Sequence, residues 1–95
     1  MADADIAKKQ WGYVVGGTGT DDTAVTTDSI YVKRLLLTAN DSADTIVVTD
    51  GAGSILVNWI AGAEILSQVF EIGAKLKGIS VNPSATDDFC SIVVE

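Results

Sequence analysis

The chain has no histidine, one cysteine and one proline in 95 residues. Without imidazole there is no His-based triad, no His general base and no His metal site. Cys90 stands alone, so no internal disulfide can form. It has no second thiolate for a zinc site and no imidazole to activate it as a nucleophile. Set between Phe89 and Ile92, it reads as a small buried hydrophobe. Cations are scarce too: six Lys plus Arg stand against thirteen Asp plus Glu, for a net charge of −7. Nucleic-acid affinity comes mainly from neutralising phosphates, so no nucleic-acid partner is expected, and no anionic membrane surface either. The acidity fits solubility and spacing from like-charged neighbours. No apolar run approaches the ~18 residues of a membrane span. The opening Met-Ala-Asp-Ala-Asp-Ile has no positive leader followed by an apolar run, so synthesis in a cytoplasm without a secretory signal is the expectation.

What is present is β vocabulary. The clearest stretch is Thr45 to Trp59, where two β-branched runs flank Asp50-Gly51-Ala52-Gly53. Ile46 and Val48 alternate with Thr45, Val47 and Thr49. After the turn, Ile55, Val57 and Trp59 alternate with Leu56 and Asn58. A period of two marks pleated strands, and Asp50, Gly51 and Gly53 supply the chain reversal between them. Gly51 is expected at positive φ.

Around this hairpin the pattern repeats. Residues 1 to 10 are polar and of mixed charge and read as a flexible arm, with a short helical turn at Asp5 to Gln10 as one option. Ile6, Trp11 and Tyr13 are the large groups there that a partner could contact. Trp11 to Val15 reads as a strand. Gly16 to Asp22 is a loop that lacks the Gly-Lys-Ser/Thr ending of a phosphate loop, and Asp22 stands where a dinucleotide loop needs its third Gly. Thr23 to Thr27 suggests an edge strand. In Ser29 to Ala39 the apolar phase slips at Lys33-Arg34, which predicts a β-bulge or burial on both faces. Glu64 to Ile72 reads as a strand, or as a helix within 63–76 that stops at Gly73. Lys75 to Val81 and Phe89 to Val94 complete the set. Seven or eight strands with turns every 8–12 residues predict one all-β domain over 11–95, a two-sheet antiparallel sandwich; the helical option would make it α+β.

Asp21, Asp22, Asp41, Asp44, Asp50, Asp87 and Asp88 all fall in turn-like segments, where Asp serves local hydrogen bonds. Carboxylate pairs for acid–base chemistry and calcium-loop spacing are therefore not expected, and neither is a metal or other cofactor. Trp11, Tyr13, Tyr31 and Trp59 leave open an aromatic platform for sugars, hence a carbohydrate-binding or adhesin-type module.

Three stretches together carry a resemblance. They are Ile30-Tyr31-Val32-Lys33-Arg34-Leu35-Leu36-Leu37, Thr45-Ile46-Val47-Val48-Thr49-Asp50-Gly51-Ala52-Gly53, and Ile72-Gly73-Ala74-Lys75-Leu76-Lys77-Gly78-Ile79-Ser80-Val81. Over residues 30 to 94 the chain resembles the small cement or decoration proteins of tailed bacteriophage capsids. That resemblance implies a jelly-roll-like sandwich and a non-enzymatic virion protein made in the host cytoplasm. It implies a homotrimer that binds the major capsid protein at the capsid surface. It brings no catalytic or ligand residue. Self-association also follows from size, because a small apolar chain gains burial by pairing with copies of itself.

Overall fold

A computed structural model describes residues 5–16, 23–63, 66–84 and 88–95. Within them the chain is all-β. The strands are β1 (Asp5–Lys9), β2 (Gly12–Gly16), β3 (Thr23–Thr38), β4 (Thr45–Asp50), β5 (Ile55–Ile60), β6 (Ser67–Pro83) and β7 (Phe89–Val94). Every pairing is antiparallel, in the order β1-β2-β7-β3-β6-β4-β5. The all-β antiparallel class expected from the sequence is thus what forms. Ser67 onward is strand, as preferred over the helix at 63–76.

All seven strands hydrogen-bond into one open sheet. It must fold across itself, as its dimensions show. A straight 17-residue strand such as β6 would run about 55 Å at ~3.3 Å per residue. The longest dimension of the molecule is 34 Å. The bend lies in the β3–β6 ribbon. The second half of β3 pairs with β7, while the last part of β6 pairs with β4. The ribbon therefore belongs to two arms, β1-β2-β7-β3-β6 and β3-β6-β4-β5. Register shifts in β3 between Ala24 and Thr26, Thr26 and Ser29, and Val32 and Arg34 turn it from one arm into the other. Strands that change layer do so at bulges and bends. The predicted slip at Lys33-Arg34 is the third of these.

Two expected breaks are corrected. Thr23–Thr27 and Ser29–Ala39 are one strand, as are the runs ending at Ile72 and Val81. Asp28, Gly73 and Gly78 mark bends rather than ends. Gly78 adopts φ 84°, where its backbone lies against Gly51. The helical turn that was one option at Asp5 to Gln10 is not formed. Residues 5–9 add to β2 in the register Asp5↔Gly16 to Lys9↔Gly12, so the supposed arm is in part an edge strand.

The two arms face each other across one core. Val15, Val32, Leu35, Leu37, Cys90 and Ile92 of the first arm meet Ile46, Val48, Val57, Trp59, Ile79 and Val81 of the second in a single buried cluster. The second half of β3 alternates as the pleat requires: Leu35 and Leu37 are buried, and Leu36 between them is exposed. The loops at one end are stitched together. Ala39 N–H donates to Leu66 O (2.7 Å), Ala43 N–H to Ala61 O (2.8 Å) and Ser84 N–H to Thr45 O (2.8 Å). Asp88 is wholly buried there, and its Oδ1 accepts from Asn40 N–H at 3.0 Å.

Candidate interaction surface

The expected turn residues meet at the β4–β5 reversal. Asp50 N–H donates to Ser54 O (3.0 Å), and Gly53 N–H donates to Asp50 O (3.1 Å). Asp50 Oδ1 accepts from Ala52 N–H (2.9 Å) and Ser54 N–H (3.0 Å), so the side chain closes the loop that its backbone opens. This is the three-residue hairpin in which the last loop residue turns left-handed. That residue is Gly53, at φ 90°. Gly51 does not have positive φ, contrary to expectation. It is required for a different reason. Its N–H donates to Lys77 O at 3.1 Å, and a Cβ at Gly51 would lie 2.2 Å from that oxygen. The loop tip thus rests on the bend of β6. The turn is an architectural joint, and the shallow open depression beside it is lined by Thr27, Gly51, Ala52 and Lys77.

Cys90 is fully buried, and burial pushes its thiol up to about 12 from an ordinary 9.0. A nucleophile must be a thiolate that reaches solvent, and this one is neither. The sign of its effect on stability follows directly. Between pH 9 and 12 the unfolded chain loses the thiol proton while the folded chain keeps it, so stability falls as pH rises through that window. Urea melts of the parent should lose about 1.4 kcal/mol per pH unit there relative to Cys90→Ala. Equal slopes in the two proteins would mean that the thiol is accessible. Among the described residues, the candidate Asp side chains do not converge on a cleft. Asp41 and Asp44 hold one turn, with Asp44 Oδ2 accepting from Asp41 N–H at 3.2 Å, while Asp50 holds another and Asp88 is buried. Asp21, Asp22 and Asp87 lie outside the described residues. Among the described residues, no group of three or more metal-ligating side chains is found.

The predicted contact residues differ in exposure: Ile6 and Tyr13 share the face that carries Val15, where Tyr13 packs against the core, and Trp11 lies in the β1–β2 turn. Ile6 and Trp11 are exposed and Tyr13 is half-buried. Ile6 pairs with Val15, which is fully buried, so β1 extends sideways past the cover of the opposite arm. Trp11 O accepts from Val94 N–H and Tyr31 O from Glu95 N–H, which sets two exposed aromatics on either side of the end of β7.

The surface that sequence reasoning missed is the outer face of the first arm. Leu36 is directly opposite Val69 on β6 and Ser91 on β7, and Thr38 is opposite Phe89. Leu36, Val69 and Phe89 are therefore neighbours on one face, at 37%, 48% and 40% exposure. Val14, opposite Ser91, continues the row. Arg34 and Glu71 close one side with an exposed ion pair at 3.4 Å. Strict alternation carried the signal, since Leu36 had to face away from Leu35 and Leu37. A row of large apolar groups on a solvent-facing sheet is characteristic of a contact surface. The outer face of the second arm differs. Thr45, Thr49, Asn58, Ser80 and Asn82 surround a half-buried Val47 there, and exposed Ile55 and Ile60 lie at the β5 edge.

Compared with protein families, characterised proteins and solved structures, the chain matches none.

Proposed function

We propose that this chain is a non-enzymatic structural protein of a phage particle. It self-associates and binds the lattice of the major capsid protein at the virion surface, as a cement or decoration protein does. The observation that carries the assembly reading is the apolar row Leu36–Val69–Phe89 on an outer sheet face. Burying such a row against another protein contributes roughly 25 cal/mol per Å² of apolar area. The phage assignment rests on the resemblance of residues 30 to 94. The small size of the chain favours self-association, and the trimer rests on the same resemblance.

Light scattering should give about three times the chain mass, and the protein should bind undecorated capsids. Val69→Asp should leave the thermal midpoint within about 2 °C, because the residue is exposed, yet weaken capsid binding at least tenfold, about 1.4 kcal/mol. A monomer at about tens of micromolar that ignores capsids would overturn the proposal. The second reading, a glycan-binding module, is favoured by exposed Trp11 and Tyr31. A glycan array separates the two, since a cement protein should give no hits.

A further inference from the structure

We propose that β5 is a docking edge for a second copy of this chain, which pairs with it antiparallel about a two-fold axis at Trp59. The contact rests on the self-association reading and adds to it a surface separate from the apolar row. β5 is the last strand in the sheet order, and among the described residues nothing pairs with its outer side. An open edge presents unpaired N–H and C=O groups, and proteins usually blunt it with charge, proline or a bulge. The other end of the order, β1, carries Lys8 and Lys9. β5 is Ile-Leu-Val-Asn-Trp-Ile, with no charge and no proline. Its bulge lies at the start, where the register steps from Thr49↔Ile55 to Val48↔Val57. From Val57 to Ala61 the edge is regular.

The ladder shows which groups of that stretch are open. Ala61 N–H donates to Asp44 O (2.9 Å) and Ala43 N–H donates to Ala61 O (2.8 Å), so the backbone of Ala61 faces β4. Antiparallel strands alternate. Trp59 and Val57 therefore also face β4, and Asn58 and Ile60 turn their N–H and C=O groups to the open side. A two-fold axis at Trp59 sets Asn58 opposite Ile60 of the second copy, and Ile60 opposite its Asn58. Both are hydrogen-bonded pairs, so every outward N–H and C=O of the regular stretch finds a partner. Ile60, 64% exposed, gains a neighbour across the seam. Charge permits a second copy here and opposes it elsewhere. Each chain carries −7, so like-charged faces of two copies repel. Residues 51–63 form the longest stretch without a charged residue, and β5 lies inside it. Two acidic chains meet there without setting like charge on like. A two-fold contact must be self-complementary, and this register is. Added to a three-fold contact through the row, it joins one trimer to the next.

The test traps the register with a disulfide. In a hydrogen-bonded antiparallel pair the Cα atoms are about 5.5 Å apart, within disulfide reach. Asn58→Cys and Ile60→Cys are made as separate proteins. Both positions are exposed, so each variant should melt like the parent. Cys90 is fully buried and does not compete. Under mild oxidation the mixture should give a linked dimer on a non-reducing gel. Each variant alone should give about tenfold less, because like positions are diagonal neighbours about 7–8 Å apart, beyond disulfide reach. Ile6→Cys, exposed on β1, mixed with either variant measures chance collision. The link should persist in about 1 M salt, where the Debye length is about 3 Å, since no charge holds it. A mixture that links no faster than the Ile6→Cys control overturns the edge contact. So does either variant linking as well alone as in the mixture. If the mixture stays unlinked while Ile60→Lys weakens capsid binding, the edge takes a strand of another protein and self-pairing is overturned. A three-chain mass without the link leaves self-association through the row standing. A link in a protein that ignores capsids keeps the edge contact and overturns the virion reading.

Discussion

Replacing Gly51 with valine is expected to destabilise the protein by about 3 kcal/mol, lowering its melting temperature by roughly 15 °C. The cause is contact, not torsion. A Cβ at Gly51 would stand 2.2 Å from Lys77 O and 3.3 Å from Gly78 Cα, both backbone atoms in the bend of β6. Backbone cannot rotate away as a side-chain tip can. The substitution must therefore lift the loop off the ribbon and break the 3.1 Å hydrogen bond from Gly51 N–H to Lys77 O. That bond contributes about 1 kcal/mol, and overpacking adds about 1–3 kcal/mol. Gly51→Ala should already show most of the loss. Gly53 gives the contrast. It has φ 90°, and nothing lies within 4 Å of the place its Cβ would take. Gly53→Asn, which tolerates the left-handed region, should therefore cost about 1 kcal/mol or less. Thermal melts of the three variants decide between the two roles. If Gly53→Asn costs more than Gly51→Ala, the loop does not rest on β6.

The difference between those two glycines shows where the sequence was legible. The β4–β5 hairpin could be read because its cues are local: alternation from Thr45 to Trp59 and an Asp-Gly turn between. That Gly51 touches Lys77 could not be read, because the reason lies on another strand. The same holds for length. Asp28, Gly73 and Gly78 look like strand ends, yet the chain continues through them as a bent ribbon, since the neighbouring strand supplies hydrogen bonds across each irregularity. Strand β1 was illegible for the opposite reason. Ile6 is its one large apolar residue, so neither alternation nor propensity marks it, and pairing with β2 decides its conformation. The contact surface was only half visible. Ile6, Trp11 and Tyr13 stand out in the sequence as large groups near a terminus, whereas the apolar row is assembled from β3, β6 and β7 by register.

The run Leu35-Leu36-Leu37 supplies the second large effect and a test of register, face and function at once. Three identical side chains follow one another, and the pleat sends the outer two inward and the middle one outward. Leu35 is fully buried opposite Phe70 and Ile92 in the β6 and β7 registers. Leu35→Ala removes three buried carbons and leaves a cavity in a sheet held rigid on both sides, so stability should fall by about 3 kcal/mol within a usual range of about 2–5 kcal/mol. Leu36→Ala removes the same atoms from a face that is partly in water, and should cost about 0.5 kcal/mol or less. Assembly should show the reverse order. Leu35→Ala, where it remains folded, keeps the outer row and should bind capsids like the parent. Leu36→Ala should weaken that binding while melting normally. Denaturant unfolding and capsid co-sedimentation on the same two variants measure both halves. A one-residue slip in the β3–β6 register would exchange the faces and invert both results. Equal costs at the two positions would mean that both faces of β3 are covered in the isolated chain, and the exposed row would then have no free face to offer a partner.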